Sequence, residues 1–425
     1  MNERRVGVRM SQLLSCALAW LFAVGAARAQ SFQKLVAVDD PAPGGGAFTE
    51  LEPPSFDGSY VSFRARRDVS PNRGIFRLDL QGGGVVIAHT DTPLPGGSGD
   101  FIGFGGGFDY PSLDDGEVIF NGSGSDRAGV YRADGGTVSL LVDGTTAFPN
   151  APGALASFGP PSSAGRFVTS VSNSPSVPFF AGIYSEIAFV LFSVIDTTHP
   201  FFNVDQGVVG AGLYAFHEND SPDGPHALYV AEQTGQGAGP PELVVHSSDP
   251  IPDRKRSFDT LLFPQLDRSH GDLCFWARDG SLDYEGFFRW DRVGETLELV
   301  ADTETPIPDG SGSFSGFSLY CSIDAGEVVF AGTGTGFQQG IYRKPAGGAL
   351  EKVIDTSDLL EGATVFAFDV SREAVVDGRI AFQAVGDFGD ALFVTAAPEP
   401  GATASLAAAL GSLALLARRR ARVGR

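Results

Sequence analysis

Three cysteines, two methionines, three tryptophans and six histidines in 425 residues leave little material for several kinds of chemistry. No Cys-x-x-Cys, His-x-x-x-His or His-Glu-x-x-His spacing occurs, which excludes thiol-redox and zinc sites built from one local motif. Gly-x-Ser-x-Gly elbows and phosphate-cradling glycine loops are missing as well. Base is scarce too: 30 Lys and Arg stand against 51 Asp and Glu, a formal charge of −21, and a phosphate backbone needs a basic footprint. Nucleic acid is therefore not an expected partner. Between its two ends the chain has no sustained helical period, and a helical fold is excluded with it. A catalytic cluster assembled from separate segments escapes such a search.

What the chain has in quantity is glycine and proline, 56 and 27 residues, set in dipeptides such as Pro-Gly and Asp-Gly that end short strands. The segments between them repeat. Val86 to Pro95 is matched by Leu299 to Pro308, Gly97 to Phe104 by Gly310 to Phe317, and Ser112 to Phe120 by Ser322 to Phe330. Weaker copies fill the rest. A Gly-apolar-aromatic triplet, with Ala replacing Gly twice, starts at Gly74, Gly129, Gly182, Ala227, Gly286, Gly340 and Ala391. An apolar-x-aromatic strand precedes each triplet, degenerate at Phe167 to Thr169, and an apolar pair leading to Asp or His follows all but the last.

Four strands in about 45 to 60 residues is the size of a propeller blade. The expectation is an all-β chain, a seven-bladed β-propeller of four-stranded antiparallel blades. The seventh unit runs out after three strands, while Leu35-Val36-Ala37-Val38 is a strand with no blade of its own. Pairing the two would close the ring and remove an open edge. Six or eight blades are the alternatives, since the third and fourth units are degenerate. An array of β-sandwiches fits poorly, because its modules need about 100 residues.

Both ends read as processing segments. Arg4, Arg5 and Arg9 precede an apolar stretch from Leu13 to Ala26, and Ala27-Arg28-Ala29 is a small-x-small site before Gln30, so residues 1–29 read as a signal peptide cut by signal peptidase. A lipobox at Leu13 to Cys16 would place its cysteine at the wrong end of that stretch. At the other end Pro398-Glu399-Pro400 is followed by an apolar run to Ala417 and by Arg418-Arg419-Arg420, with Arg422 and Arg425. Seventeen residues at about 1.5 Å each span roughly 25 Å, the short end of a bilayer core, and the arginines would stay in the cytoplasm. This order resembles the PEP-CTERM sorting signal of Gram-negative bacteria. The resemblance implies a C-terminal sorting helix over 398–425, recognition by an exosortase, transient membrane anchoring, and display on the cell surface or in the extracellular matrix. A plain anchor helix is the other reading. The body, 30–397, loses four Arg and one Glu with the leader and five Arg and one Glu with the tail, leaving a charge of about −28.

Within the body, the position that ends each unit is held by His89, Asp143, Asp196, His246, Asp302 and Asp355, with Asp39 or Asp40 at the first copy. Convergence in a ring would suit a hard cation such as Ca²⁺; repetition with the Thr-x-Thr-Pro loop favours Asx turns within each blade, and no cofactor is expected. Ser-x-Asp-x-Gly, at Ser112 and Ser322, partly resembles the Asp-box of sialidase-like propellers and reads as the turn between first and second strands. Cys274 and Cys321 are left open between a disulfide and two buried thiols. The aromatics at Pro178-Phe179-Phe180 and Pro200-Phe201-Phe202 serve either core packing or sugar stacking. No catalytic residue is assigned. A monomeric, non-catalytic scaffold or binding module for a polysaccharide or surface protein is the first expectation. The alternative is a propeller enzyme, hydrolase or lyase, acting on a glycan or phosphate ester. A central channel lined by charged side chains from several blades would favour the second.

Overall fold

The computed structural model describes residues 30–396, except 106–108, 148–154, 174–180, 188–189, 197–202, 220–223, 236, 282 and 337. The signal-peptide and sorting-tail residues, His199 and the two Pro-Phe-Phe clusters lie outside the described residues. Among the described residues no helix is long and apolar enough to cross a membrane.

The landmark triplets are one half of a cross-strand device. The aromatic of the second strand lies directly opposite the aromatic of the third: Phe63 and Phe76, Phe120 and Tyr131, Phe216 and Tyr229, Phe275 and Phe288, Phe330 and Tyr342, Phe382 and Phe393. Each pair stacks, with centroids between 5.5 Å (Phe216–Tyr229) and 6.0 Å (Phe120–Tyr131). Such pairs add about 0.5–1.5 kcal/mol beyond their burial. In the third blade Thr169 faces Tyr184, which is why that repeat reads as degenerate. The leading glycine has an equally local cause. The outer strand bulges opposite it, and a Cβ at Gly129 or Gly286 would sit 2.4 Å from the carbonyl oxygen of Val142 or Ala301.

These hairpins build seven antiparallel sheets. The first has Phe48–Leu51 with Ser55–Phe56 as its inner strand, then Tyr60–Arg67, Arg73–Asp79 and Gly84–His89. Blades two to six repeat that order and end at Asp143, Asp196, His246, Asp302 and Asp355. The seventh takes Ala363–Asp369, Arg379–Gly386 and Gly389–Thr395 from the end of the body and Phe32–Ala37 from its start. Val36 pairs with Leu392 and Ala37 with Ala391, so the closing strand is the one without a blade of its own. Each sheet touches the next in chain order, and the seventh touches the first. Cys274 and Cys321 form a disulfide, Cα atoms 6.4 Å apart, joining the second strand of blade five to the inner strand of blade six.

Every inner strand is interrupted at mid-length. Glu52-Pro53-Pro54 splits the first blade's and Gly159-Pro160-Pro161 the third's, and the second's lies in two pieces, Gly103–Phe104 and Ser112–Asp114. The fourth, fifth and sixth have register shifts at Gln206-Gly207, Phe263-Pro264 and Ser318-Leu319-Tyr320, with Gln206 and Phe263 at positive φ. Val370 to Ala374 breaks the seventh. An inner strand has no neighbour on its channel side, so proline costs no ladder bond there. The interruptions turn side chains into the middle of the ring.

Candidate functional site

Below the interruptions, the Asp-Gly hairpins interlock. The turn expected at Asp115-Gly116 and Ala325-Gly326 is present, both residues at positive φ. The carboxylate before each turn reaches the next blade: Asp57 accepts from Gly116 N at 2.7 Å, Asp114 from Gly165 N at 2.6 Å, Asp267 from Gly326 N and Asp324 from Asp377 N, each at 2.7 Å. Inside this collar lies a polar floor. Arg268 of blade five pairs with Glu373 of blade seven at 3.1 Å and donates to Leu113 O of blade two at 2.9 Å. Glu373 accepts from Ser112 Oγ at 2.6 Å and from Leu113 N at 3.0 Å, and Ser112 Oγ meets Ser163 Oγ of blade three at 2.9 Å. One ion pair thus ties four blades across the axis.

At the level of the interruptions the lining changes from blade to blade. Glu52 is held bidentately by Arg64, both contacts 2.6 Å, and Arg64 also donates to Phe104 O. Asp109 Oδ2 accepts from Asn121 Nδ2 at 2.7 Å, while its Oδ1 has no partner among the described residues. Tyr110 and Tyr320, from blades two and six, meet edge to face at 6.1 Å, and Phe263 of blade five packs on Tyr320 at 5.1 Å. Gln206 of blade four accepts from Phe263 N. Asp369 and Arg372 come from blade seven, Arg372 reaching Pro160 O of blade three at 3.4 Å. Two crevices open at this level. One of about 200 Å³ is lined by Glu52, Arg64, Arg66, Arg73 and Phe104; the other, about 380 Å³, by Phe317, Phe368, Asp369, Gln339 and Gln383.

Burial in this ring disfavours charge. It pushes the Asp109 carboxyl up to about 6 against the pull of Asn121, Arg372 and Arg64. Asp369 is likewise pushed up to about 6 by burial, opposed by its bond from Val370 N. Glu52 moves the same way despite Arg64, and burial together with Asp369 raises the Tyr110 phenol. Two carboxyls that exchange protons near neutrality, with phenols and a guanidinium around them, can serve as general acid and general base.

The repeated Asp/His positions do not converge here. Where the following loop is described, each serves its own loop. Asp302 accepts from Glu304 N at 3.0 Å, Thr305 Oγ1 at 2.7 Å, Tyr284 Oη at 2.9 Å and Arg254 Nη2 at 2.7 Å. Asp143 takes Thr145 N at 2.8 Å and Arg127 at 2.6 Å, and Asp355 takes Ser357 N at 2.8 Å and Gln338 at 2.5 Å. Burial raises both carboxyls, but these loop bonds and cations outweigh it and hold them below the ordinary range. Asp196 accepts from Ser193 at 2.8 Å, His89 contacts Thr92 and Asp91, and His246 bonds Ser248 at 2.7 Å. The first copy departs from the reading of Asp39 or Asp40. Register places Ala37 opposite Ala391, as Asp302 stands opposite Gly286, so that blade has no carboxylate at the position. Among the described residues no three His, Cys, Asp or Glu side chains gather to hold a metal ion.

A pair invisible to motif spacing is His217 and His226, opposite strands of one hairpin. His217 Nε2 lies 2.8 Å from His226 Nδ1 and His217 Nδ1 lies 2.6 Å from Asp205. Burial, then the neighbouring ring, lowers the His226 pKa.

A family of unknown function, DUF7453, matches residues 269–418, and no curated protein matches the sequence. Among solved structures the chain is similar to the β-propeller domain of the Trilobed protease from Pyrococcus furiosus, at 11% identity and a TM-score of 0.50 over 82% of this chain and 95% of that one. A prolyl endopeptidase aligns at 12% identity and 0.50 over 86% and 49%. An oligogalacturonate lyase in complex with manganese aligns at 11% and 0.49 over 87% and 97%. At such identities the likeness concerns the fold: the chain is a seven-bladed β-propeller.

Proposed function

We propose that this is an exported propeller enzyme that binds a glycan at the mouth of its central channel and breaks a glycosidic linkage by acid-base chemistry, Asp109 and Asp369 exchanging the protons. The observation that carries the reading is the ring of interruptions, where carboxyls from different blades are raised to about 6 beside Tyr110, Tyr320 and Arg372. It is placed ahead of the scaffold because charged and polar side chains from several blades stand at this level beside the aromatic cluster of Tyr110, Tyr320 and Phe263. Phe263, half-buried against the buried Tyr320, is the aromatic of this cluster nearest to a sugar ring. Export through the leader at Ala27, Ala29 and Gln30, and surface display through the PEP-CTERM-like tail, fit a polymer encountered outside the cell.

The test is a screen of the mature protein against surface and matrix polysaccharides, reading new reducing ends and new 4,5-unsaturated sugars to separate hydrolysis from elimination. Asp109→Asn and Asp369→Asn should each lower turnover at least about a hundredfold, the usual scale of acid-base catalysis, with a folded circular-dichroism spectrum retained. Turnover unchanged in both variants would remove the channel from the chemistry.

A further inference from the structure

Arg372 is 5% exposed, yet among the described residues its Nε and Nη2 have no partner and its guanidinium makes one bond, the 3.4 Å contact to Pro160 O. A buried guanidinium left in this state is expensive unless something else completes it. Its neighbours do not. Arg268 engages Glu373 and Leu113 O, and Glu373 is itself held by Ser112 and Leu113 N. Next to Arg372 lies a pocket of about 20 Å³ lined also by Ser162, Gln265, Arg268, Ser322 and Glu373. That volume admits one small polar group. Two guanidiniums, two hydroxyls, an amide and one engaged carboxylate line it together with six apolar side chains, and Ser322 Oγ already accepts from Ala374 N and Val375 N.

We propose that Arg372 is the anion-reading residue of this channel and takes the oxyanion of an acidic sugar, a carboxylate or a sulfate ester, through Nε and Nη2. The inference rests on the channel being the glycan site and narrows the substrate to acidic glycans. Guanidinium is suited to the task, since its fork presents two parallel donors to two oxygens. In a strongly acidic protein the positive group sits inside, where the low local dielectric strengthens its pull on a single anion. The orphaned Oδ1 of Asp109 lies close enough for Arg372 to pull on its carboxyl, so the anion and the proton-exchanging group would share one substrate unit.

The experiment uses the mature protein and titrates acetate, sulfate and chloride, reading thermal stability and isothermal heat. Acetate or sulfate should give a saturable rise in the wild type, with an affinity at least about tenfold weaker in Arg372→Gln, since a charge-assisted bond is worth a factor of that size. Arg372→Lys should keep a weakened response. Arg372→Met should melt no lower than wild type without anion, because a buried unpaired charge is removed, and should not respond to anion. A wild-type protein indifferent to all three anions, an equal response to chloride, or an unchanged response in Arg372→Gln would overturn the proposal. Asp109→Asn separates it from the catalytic reading: that variant should lose turnover and keep the acetate response.

Discussion

At the scale of single residues, the account turns on two carboxyls whose burial raises them from an ordinary 3.8 to about 6. The sign follows from linkage. A carboxyl raised on folding contributes stability that is full below the unfolded value, near pH 4, and is lost as pH rises through about 6. Asp143 and Asp355, held low, act in the opposite direction at more acid pH. Urea unfolding of Asp109→Asn should therefore show a variant gaining on the wild type between pH 4 and pH 7, by on the order of 1–3 kcal/mol. A difference between the two proteins that does not change with pH would mean that Asp109 titrates like a surface carboxylate.

Neither Asp109 nor Asp369 was legible in the sequence, and the reason is physical. Comparing repeats finds what blades share, such as the stacked pair Phe330 and Tyr342 or the glycine opposite a bulge, because every blade has to solve the same packing problem locally. The strand breaks carry, from blade to blade and at differing registers, Glu52, Asp109, Gly159, Gln206, Phe263, Tyr320 and Asp369. A site assembled from seven strand breaks lies in the differences between copies. The shared Asp302 and Asp355 stood out in the sequence, and they proved to cap their own loops.

At the scale of elements, the pattern was readable wherever one strand dictates another. Val36 opposite Leu392 followed from counting strands, and the turn at Asp115-Gly116 from its residue types. Tethers between blades were not readable, since the Asp57 bond to Gly116 N and the disulfide both join segments about a repeat apart. Cys274 and Cys321 are separated by 47 residues. Loop closure of that length is worth about 4 kcal/mol in the chain-entropy model. Replacing both cysteines by serine should lower stability by up to that amount and the melting temperature by roughly 5 °C for a domain of this size. Reduction of the wild type should give the same shift, and cysteine-free protein that melts with the wild type would show the bond to be idle.

At the scale of the whole molecule, closure of the seventh blade by Phe32–Ala37 removes the open sheet edge and fixes the radius at which seven interrupted strands meet. The floor of Arg268, Glu373 and Ser112 then closes one end of the channel, and the ring of carboxyls and tyrosines sits above it. Fold, charge and site belong to one arrangement. A polymer outside the cell would meet an acidic surface, and the positive group proposed to recognise it is buried. A crystal structure of Asp109→Asn soaked with an acidic oligosaccharide tests this most directly. A sugar should appear at the channel mouth against Phe263, with its carboxylate or sulfate on Arg372. A sugar bound on the outer strands of a blade, with the channel unchanged, would contradict it.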